Sequence, residues 1–360
     1  MNKKLVALAV SAIAAGAASA QTANVTLYGV VDTYLVNVRT GSGKTSAGAS
    51  VGGGSFTAVD AGGLSGSRWG LRGSEALGGG LNAVFTLESG FNSDNGSLGQ
   101  GGLLFGRQAY VGVTGGFGAV TLGRQYAPIF YTGADSDVDG YSNFSVVTNH
   151  MLLQDATSQL RINNAINYKT PNMGGLTANL QWAFGESTAG TSAGRTLGAN
   201  LAYNNGPINA GVGYADRKGS TGASVARAVM LGGTFNAGVA TIGADYWQWK
   251  NPSAANTTRK SWQIGASVPM GALSFVAQVG ELKVDGGAKQ MMFNLGANYA
   301  LSKRTDTYFR FVNGSSNALM SMAIPGVGGV AGCSAGTPAA PAVCLDADTR
   351  AFAVGLRHKF

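Results

Sequence analysis

The side chains with the clearest chemical potential in this sequence are cations at alternating positions of short apolar runs. Arg68 and Arg72 alternate with Trp69 and Leu71, so the two guanidinium groups fall on one face of an extended segment. Cations that share one wall attract and orient anions without any covalent step. The candidate basic wall residues are Arg68, Arg72, Arg107, Arg161 and Lys169.

Arg161 and Lys169 stand at the two ends of one alternating run, and this run assigns each of them to a face. Ile162, Ile166 and Tyr168 fall on one side of this run, so alternation predicts that Arg161 and Lys169 lie together on the polar side.

Arg107 begins the next apolar run along the chain. It is predicted to share a face with Ala109, opposite Tyr110. Gly70 and Ala109 have little or no side chain, so they leave space into which the long arginine side chains can reach.

Carboxylates are fewer on the predicted wall and are grouped in a loop. Asp32 and Glu88 are expected to face the same interior as the arginines, whereas Asp135, Asp137 and Asp139 occur at alternate positions of one connection. If that connection folds inward, its acids oppose the wall arginines and create a transverse field that sorts solutes by charge. The alternatives are a solvated acidic loop tip and arginine ion pairs that only stiffen the wall.

Catalysis is not expected. A serine or aspartate mechanism normally needs a positioned histidine, and the chain has only His150 and His358. Cys333 and Cys344 are the only cysteines, and in an exported protein two cysteines in one loop most simply form a disulfide. We predict no enzyme activity, no metal site and no cofactor.

The carboxyl end identifies the elements that position these side chains. Phe352, Val354, Leu356 and His358 alternate with small or basic residues up to the terminal Phe360. Such a two-faced strand is typical of a transmembrane β-barrel, in which one face meets lipid and the other meets water.

Turn signals predict the number of strands. The seven turns are centred on Gly78-Gly79, Gly115-Gly116, Met173, Asn205-Gly206, Ala237, Met270 and Lys303. Seven turns imply sixteen antiparallel strands, an even number that lets the barrel close without a free edge. Two connections are unusually long: residues 125–160 and the predicted last outer loop, residues 314–350.

The amino end predicts export. Lys3 and Lys4 precede an apolar run that ends in Ala18, Ser19 and Ala20, which predicts a signal peptide over residues 1–20 and a barrel domain over residues 21–360. The formal net charge is +8, but no run of Lys or Arg exceeds two residues. A basic passage for anions is therefore favoured over nucleic-acid binding.

Five ordered blocks resemble the general diffusion porins of Gram-negative bacteria, especially the beta-proteobacterial type. They are VTLYGVVDTYL, SRWGLRGSEALGGGLNAVFTLESGF, FGRQAYVGVTGGFGAVTLGRQ, RINNAINYKTPNMGGLTANLQW and the ending GLRHKF. The resemblance implies a sixteen-stranded homotrimer whose third outer loop folds inward as the constriction, with passive passage of small hydrophilic solutes.

The resemblance also implies roles for single residues. Arg68 and Arg107 match constriction arginines, and Arg161 or Lys169 matches a third basic wall group. Phe360 matches the terminal aromatic residue that is read by the outer-membrane assembly machinery. Pro128-Ile129-Phe130 stands where acidic families have a Pro-Glu-Phe-Gly turn, so the geometry of the long loop is not transferable.

These features predict an outer-membrane diffusion channel with a weak to moderate anion preference. Its expected partners are its own copies, outer-membrane lipid and lipopolysaccharide, the assembly machinery, and small hydrophilic solutes and anions. One alternative is a substrate-selective channel for a small anion or sugar. Another is a surface adhesin whose barrel is only an anchor.

Overall fold

The computed structural model describes residues 24–44, 50–51, 53–151, 160–252, 257–287, 289–316 and 348–360. The predicted signal peptide, both cysteines and most of the predicted last outer loop lie outside these ranges.

Strands make up most of the residues that the structure describes. In chain order the elements are β1 (Asn24–Thr40), β2 (Gly43–Lys44), β3 (Ser50–Val51), β4 (Gly54–Ala61), β5 (Arg68–Gly78), β6 (Leu81–Gly90), β7 (Gln108–Gly115), β8 (Gly118–Tyr126), α1 (Pro128–Ser136), β9 (Arg161–Lys169), β10 (Leu176–Ala183), β11 (Thr196–Asn205), β12 (Ile208–Lys218), β13 (Ser224–Asn236), β14 (Thr241–Asn251), β15 (Thr257–Met270), β16 (Leu273–Val284), β17 (Lys289–Ala300), β18 (Thr305–Ser316) and β19 (Thr349–Lys359). Residues 146–151 are also helical.

The large sheet closes on itself. Consecutive strands pair antiparallel, and β1 pairs with β19 from Val30↔Lys359 to Thr40↔Thr349. The second edge of β1 pairs with β5 in its first half and with β4 in its second half, so β4 and β5 together fill one position of the barrel. The described strands therefore occupy sixteen positions, which confirms the predicted sixteen-stranded antiparallel transmembrane β-barrel.

All seven predicted turns connect consecutive strands of this barrel. They lie at one end, together with the first described residue and Phe360. The longer connections lie at the other end, which is the outer end in barrels of this kind. Over the described ranges, no helix has both the length and the apolar character needed to cross a bilayer.

The two faces of the sheet differ as the alternation predicts. Along β19, Val354 and Leu356 are more than half exposed, whereas Ala351 and Ala353 are buried. The outer face therefore presents apolar side chains to lipid, and the inner face carries buried polar groups such as Gln263 and Asn294.

The long connection after β8 packs against the inner face. Helix α1 begins with Pro128 and contacts β10 to β14. Ile129 and Met151 join a buried cluster with Trp247, whereas Phe144 joins a second cluster with Tyr34. These apolar contacts bring the connection across the inner face from β14 to β1.

Inward-facing glycines provide the space for this connection. A Cβ on Gly213 would lie 2.8 Å from Ile129, one on Gly232 would lie 2.8 Å from Ser136, and one on Gly280 would lie 2.7 Å from Val146. Gly198, Gly243 and Gly265 likewise face residues of the connection. We call these six residues on β11 to β16 the glycine track; they account for part of the high glycine content by close approach.

Candidate functional site in the barrel lumen

A cavity of about 450 Å³ lies against the inner face of β1 and β5 to β8. It is lined by Tyr28, Val30, Arg68, Arg72, Thr86, Glu88, Arg107, Gln108, Tyr110 and Tyr126. Three of the five predicted basic wall residues are therefore brought together at one place.

Glu88 on β6 links this basic group. Arg107 Nε lies 2.7 Å from Glu88 Oε1, and Arg68 Nε lies 3.9 Å from Glu88 Oε2. The hydroxyl of Tyr28 donates to Glu88 Oε2 at 3.0 Å. One buried carboxylate thus fixes one arginine tightly and a second one loosely.

Tyr126, the last residue of β8, is a second link. Its hydroxyl accepts from Arg107 Nη2 at 3.0 Å and from Arg161 Nη2 at 2.9 Å. The Arg161 guanidinium also lies 4.6 Å from the centre of the Tyr126 ring, and Phe130 of α1 stacks on that ring at 4.2 Å. The loop helix and two wall arginines therefore meet at one aromatic residue.

We call Arg68, Arg72, Arg107 and Arg161 the arginine wall. Among the residues that the structure describes, Glu88 is the one carboxylate in their network. The Arg72 guanidinium lies 5.2 Å from the centre of the Tyr28 ring. Four arginines and one glutamate leave a formal charge of +3 beside the cavity.

Strand β9 departs from simple alternation. Asn164 has a φ of 55°, and the pairing of β8 with β9 shifts between Gly123 and Gln125. Ile162 is consequently buried on the inner side, whereas Ile166 is 38% exposed on the outer side. The prediction that these two isoleucines share a face is wrong, because the left-handed residue between them adds one step to the strand.

The same strand separates the two predicted cations at its ends. Arg161 joins the arginine wall, whereas Lys169 is exposed beside the turn at 170–175. Eight residues of strand place their backbones about 26 Å apart. Lys169 is therefore not part of the cavity.

The predicted face of Arg107 also needs correction. Arg107 precedes β7, and its side chain lines the cavity together with Gln108 and Tyr110. Tyr110 was expected on the opposite face. The alternation rule fails here because Arg107 lies in the connection rather than in the strand.

Asp32 faces inward as expected but has no access to the water of the lumen. It is fully buried, accepts the Tyr308 hydroxyl at 2.6 Å, and accepts the backbone amides of Leu64 and Ser65 at 2.8 Å each. These contacts hold the connection between β4 and β5 against the wall, so the role of Asp32 is structural.

Asp139 is bound by a different part of the barrel wall, strand β18. Arg310 on β18 donates to both of its carboxylate oxygens, with Nη2 2.6 Å from Oδ1 and Nε 3.3 Å from Oδ2. Asn294 and Ser142 donate to Oδ2 as well. The two side chains of the pair are 1% and 2% exposed. This acid is therefore neutralised by β18 instead of facing the arginines across an open gap.

Asp137 is likewise held by the wall that carries the loop. It accepts Gln278 Nε2 at 2.7 Å and the backbone amides of Asp139 and Tyr141. Burial, and then the neighbouring charge of Asp139, raises the pKa of Asp137 to about 6. Asp135 is half-buried, and burial raises its pKa as well.

The two histidines lie on opposite sides of the wall. His150 is buried in the loop, and burial lowers its pKa to about 3. His358 lies on the outer face with Nδ1 2.9 Å from the Thr305 hydroxyl. Within the described residues, no group of three or more His, Cys, Asp or Glu side chains is arranged to hold a metal ion.

Phe360 closes the barrel. Its backbone exchanges two hydrogen bonds with Gly29, at 3.0 and 3.1 Å. Its ring occupies the space where a Cβ of residue 29 would lie.

Sequence reasoning missed the aromatic part of the site. Tyr28, Tyr126 and Phe130 carry most of its contacts, but a tyrosine beside an arginine gives no signal in a single sequence. The inward alternation of Tyr28 with Val30 was the available clue.

A closed barrel with an apolar exterior and a charged interior cavity is the architecture of outer-membrane barrel proteins, the class that includes channels. A family model described as Gram-negative porin matches residues 7–318. The chain therefore belongs to this family of outer-membrane proteins, as its sequence blocks predicted.

Individual relatives agree with this assignment. The chain is 36% identical over 323 residues to outer membrane porin protein 32 of Delftia acidovorans, covering 86% of this chain and 88% of the relative. It is 29% identical over an alignment of 415 residues to an outer membrane porin protein of Bordetella pertussis, covering both chains completely.

Among solved structures, the anion-selective porin from Comamonas acidovorans is similar with a TM-score of 0.75 and 29% identity, covering 94% of this chain and 100% of that chain. All three relatives are described as porins. The chain is accordingly an outer-membrane diffusion channel.

Proposed function

We propose that this channel prefers anions and that the arginine wall sets the preference. The observation that carries this proposal is the formal charge of +3 collected beside one lumen cavity. A water-filled passage with one sign of charge raises the local concentration of the opposite ion. The solved anion-selective porin named above supports the same direction of preference.

The members of the arginine wall differ in their access to water. Arg72 is exposed and the Arg68 side chain is 25% exposed, whereas the Arg107 side chain is only 9% exposed. Arg68 and Arg72 therefore meet a passing anion directly. Arg107 and Arg161 contribute mainly through the field that they add.

The long connection, residues 125–160, acts in this proposal as the constriction loop. Phe130 stacks against Tyr126 at the edge of the arginine wall, and Asp139 binds Arg310 on β18. A segment that is held at these two places narrows the passage and stays fixed while solutes pass. Asp139 is paired with Arg310 and Asp137 is buried among hydrogen-bond donors, so these two acids oppose the arginine wall less than their number suggests.

Transport in this mechanism is passive. A solute keeps most of its hydration and follows its gradient, and no cofactor takes part. A substrate-selective channel for a small anion or sugar needs contacts along the whole lumen, and a saturable block of the current by one solute distinguishes it from the general channel.

The remaining partners belong to the same proposal. They are a homotrimer, surrounding outer-membrane lipid and lipopolysaccharide, and an assembly machinery that reads Phe360. The signal peptide and the disulfide between Cys333 and Cys344 stay predictions. Native mass spectrometry of the exported protein, with and without reductant, gives the subunit number, the processed mass and the state of the cysteines.

The decisive experiment is the zero-current voltage in a planar bilayer under a potassium chloride gradient. Replacing Arg68 and Arg107 together with Gln lowers the charge of the arginine wall from +3 to +1, so we expect the voltage to shift toward cation preference. Arg39→Gln combined with Arg350→Gln is the matched control, because these arginines are paired on the exposed outer face.

The control should leave the voltage unchanged. An unchanged voltage in the Arg68 and Arg107 variant, with its conductance intact, excludes the arginine wall as the source of selectivity.

A further inference from the structure

Tyr126 joins two cations of the arginine wall through one oxygen atom. Its hydroxyl accepts Arg107 Nη2 at 3.0 Å and Arg161 Nη2 at 2.9 Å. Guanidinium groups are donors only, so this oxygen receives a hydrogen bond from each of them. Two like charges therefore share one neutral acceptor.

The two arginines differ in what else holds them. Arg107 Nε lies 2.7 Å from Glu88 Oε1, so Arg107 keeps a carboxylate partner without the tyrosine. Within the described ranges, the Tyr126 hydroxyl is the one hydrogen-bond acceptor of Arg161, and the buried Arg161 Nε has no partner there. Removal of this hydroxyl should therefore release Arg161 and leave Arg107 in place.

The tyrosine itself is fixed by its neighbours. Gln181 Nε2 donates to the backbone carbonyl of Tyr126 at 2.9 Å. Phe130 of α1 stacks on the tyrosine ring, with the ring centres 4.2 Å apart and the planes 13° from parallel. The Arg161 guanidinium lies 4.6 Å from the centre of the same ring. These contacts fix the hydroxyl, and with it the place of the Arg161 charge.

The place of the Arg161 charge matters because the passage contains water. A guanidinium that is tied to a neutral hydroxyl stays at the edge of the cavity. Once it is released, its flexible stem lets it turn toward water, since hydration of a charge is favourable. There it adds to the potential of Arg68 and Arg72, which are exposed in part or in full.

We propose that Tyr126 is a positioning residue of the channel, whose hydroxyl holds the Arg161 guanidinium at the edge of the passage and thereby limits the anion preference. The hydroxyl carries no formal charge, so a count of charges alone assigns it no effect on selectivity. The effect on selectivity rests on the function proposed above, whereas the contact between Tyr126 and Arg161 can be measured without it.

The first test measures the contact itself. Tyr126→Phe keeps the ring and removes only the hydroxyl. Phenylglyoxal, a small reagent for guanidinium groups, is added to the full-length exported protein in a non-ionic detergent, and the modified arginines are located by mass spectrometry. The modification rate of Arg161 should rise about ten-fold, because a hydrogen bond to a charged group shifts an equilibrium by at least that factor. The rate at Arg107 should change little, since Glu88 still holds it.

The second test measures selectivity in a planar bilayer under a potassium chloride gradient. Tyr126→Phe should shift the zero-current voltage further toward anion preference, although the formal charge is unchanged. The shift should disappear when Tyr126→Phe is made in an Arg161→Gln background. Tyr203→Phe is the matched control, because it removes a hydroxyl that also accepts a hydrogen bond, from Asn205, in an exposed position beside a turn. The control should change neither the voltage nor the labelling of Arg161.

Hydrogen exchange separates positioning from a merely structural role. Exchange of residues 128–136 should be the same in Tyr126→Phe as in the unmodified protein, because the ring that stacks on Phe130 remains. Faster exchange of this segment, together with increased labelling of both Arg107 and Arg161, shows a general loosening of the loop and overturns the proposal. Unchanged labelling of Arg161 overturns it as well, and so does a voltage shift of equal size in the Arg161→Gln background.

Failure of the proposed function gives a different result. If the voltage does not respond to the Arg68 and Arg107 substitutions, the arginine wall does not set the anion preference, and no shift is expected from Tyr126→Phe. Increased labelling of Arg161 alone then still supports its placement by Tyr126. If the voltage does respond to those substitutions, increased labelling of Arg161 without a voltage shift in Tyr126→Phe overturns the control of selectivity by Tyr126.

Discussion

The two sides of the lumen contain similar charges in opposite physical states. On the arginine wall, Arg68 contacts Glu88 at 3.9 Å and a quarter of its side chain is exposed. On the loop-bearing side, Arg310 holds Asp139 with two hydrogen bonds, and both side chains are almost completely buried. The first arrangement leaves charge available to a passing ion, whereas the second uses its charge to hold a loop.

This difference shows that residue type alone does not identify a selectivity residue. Arg68 and Arg310 are both inward-facing arginines near carboxylates. What separates them is solvent, because an exposed charge acts on ions in the passage and a buried, paired charge acts only on its partner.

Breaking the buried pair should have the largest effect. Arg310→Met leaves the Asp139 carboxylate without its cation, and losing one partner of a buried pair costs about 3–5 kcal/mol. We expect the barrel to remain closed while the loop leaves its position, so single-channel conductance rises. Hydrogen exchange of residues 128–136 measures the free energy of loop opening.

The comparison residue for this experiment is Arg68. Arg68→Met should lower the free energy of loop opening by less than about 1 kcal/mol, since partly exposed ion pairs contribute little. Equal destabilisation by the two substitutions contradicts the distinction between the two sides.

Adding one methyl group under the loop should have the next largest effect. Gly213→Ala places a Cβ about 2.8 Å from both Ile129 and Thr132, which is too close for packed atoms. Overpacking of this kind costs about 1–3 kcal/mol, so loop opening should become easier by that amount. Gly116→Ala is the control, because a Cβ there meets nothing within 4 Å. Unchanged hydrogen exchange in Gly213→Ala shows that the glycine track does not position the loop.

The barrel can be predicted from the sequence because the patterns that specify its strands and turns are local. Period-two alternation and glycine-rich turns predict the strands, the faces of β5 and β19, and the sixteen positions. Each of these signals depends on residues that are close neighbours along the chain. They therefore need no knowledge of the folded structure.

The candidate site can be predicted only in part, because its main contacts join residues that are far apart along the chain. Asp139 and Arg310 are separated by 171 residues. The left-handed Asn164 reverses the faces of β9, and Arg107 lies just outside its strand. Alternation counts residues, so one irregular residue is enough to move a side chain to the other face.

The pH dependence of loop docking should reveal two opposing groups. Burial lowers the pKa of His150 to about 3. The stabilisation of the docked loop by neutral His150 is therefore complete above about pH 6.5 and is lost as the pH falls. Burial raises the pKa of Asp137 to about 6. The stabilisation of the docked loop by protonated Asp137 is therefore complete below about pH 4 and is lost as the pH rises through 6. Between pH 4 and 6 the slope of His150 therefore opposes the slope of Asp137, and Asp135, whose pKa is also raised, acts in the same direction as Asp137.

A variant separates these two slopes. Asp137→Asn removes the slope of Asp137, and the histidine should then weaken loop docking by up to about 1.4 kcal/mol for each pH unit below 6.5, offset in part by Asp135, whose pKa is also raised by burial. His150→Gln in the same background should remove that slope. Hydrogen exchange measured at pH 5 and pH 6 checks both outcomes, and a slope that persists without His150 assigns the acid sensitivity to another group.

Salt should distinguish the exposed arginines from the buried pair, and it should change the stability of the loop less than any of the substitutions does. The Debye length falls from roughly 10 Å at 0.1 M to roughly 3 Å at 1 M, so the field of Arg68 and Arg72 in the water-filled passage is screened and ion selectivity declines. The Asp139–Arg310 pair is buried, so loop opening should change by only a few tenths of a kcal/mol over the same range. Parallel measurements of zero-current voltage and hydrogen exchange at both salt concentrations test this. Selectivity that survives 1 M salt points to a narrow steric filter, and a loop that opens in 1 M salt shows that water reaches the Asp139–Arg310 pair.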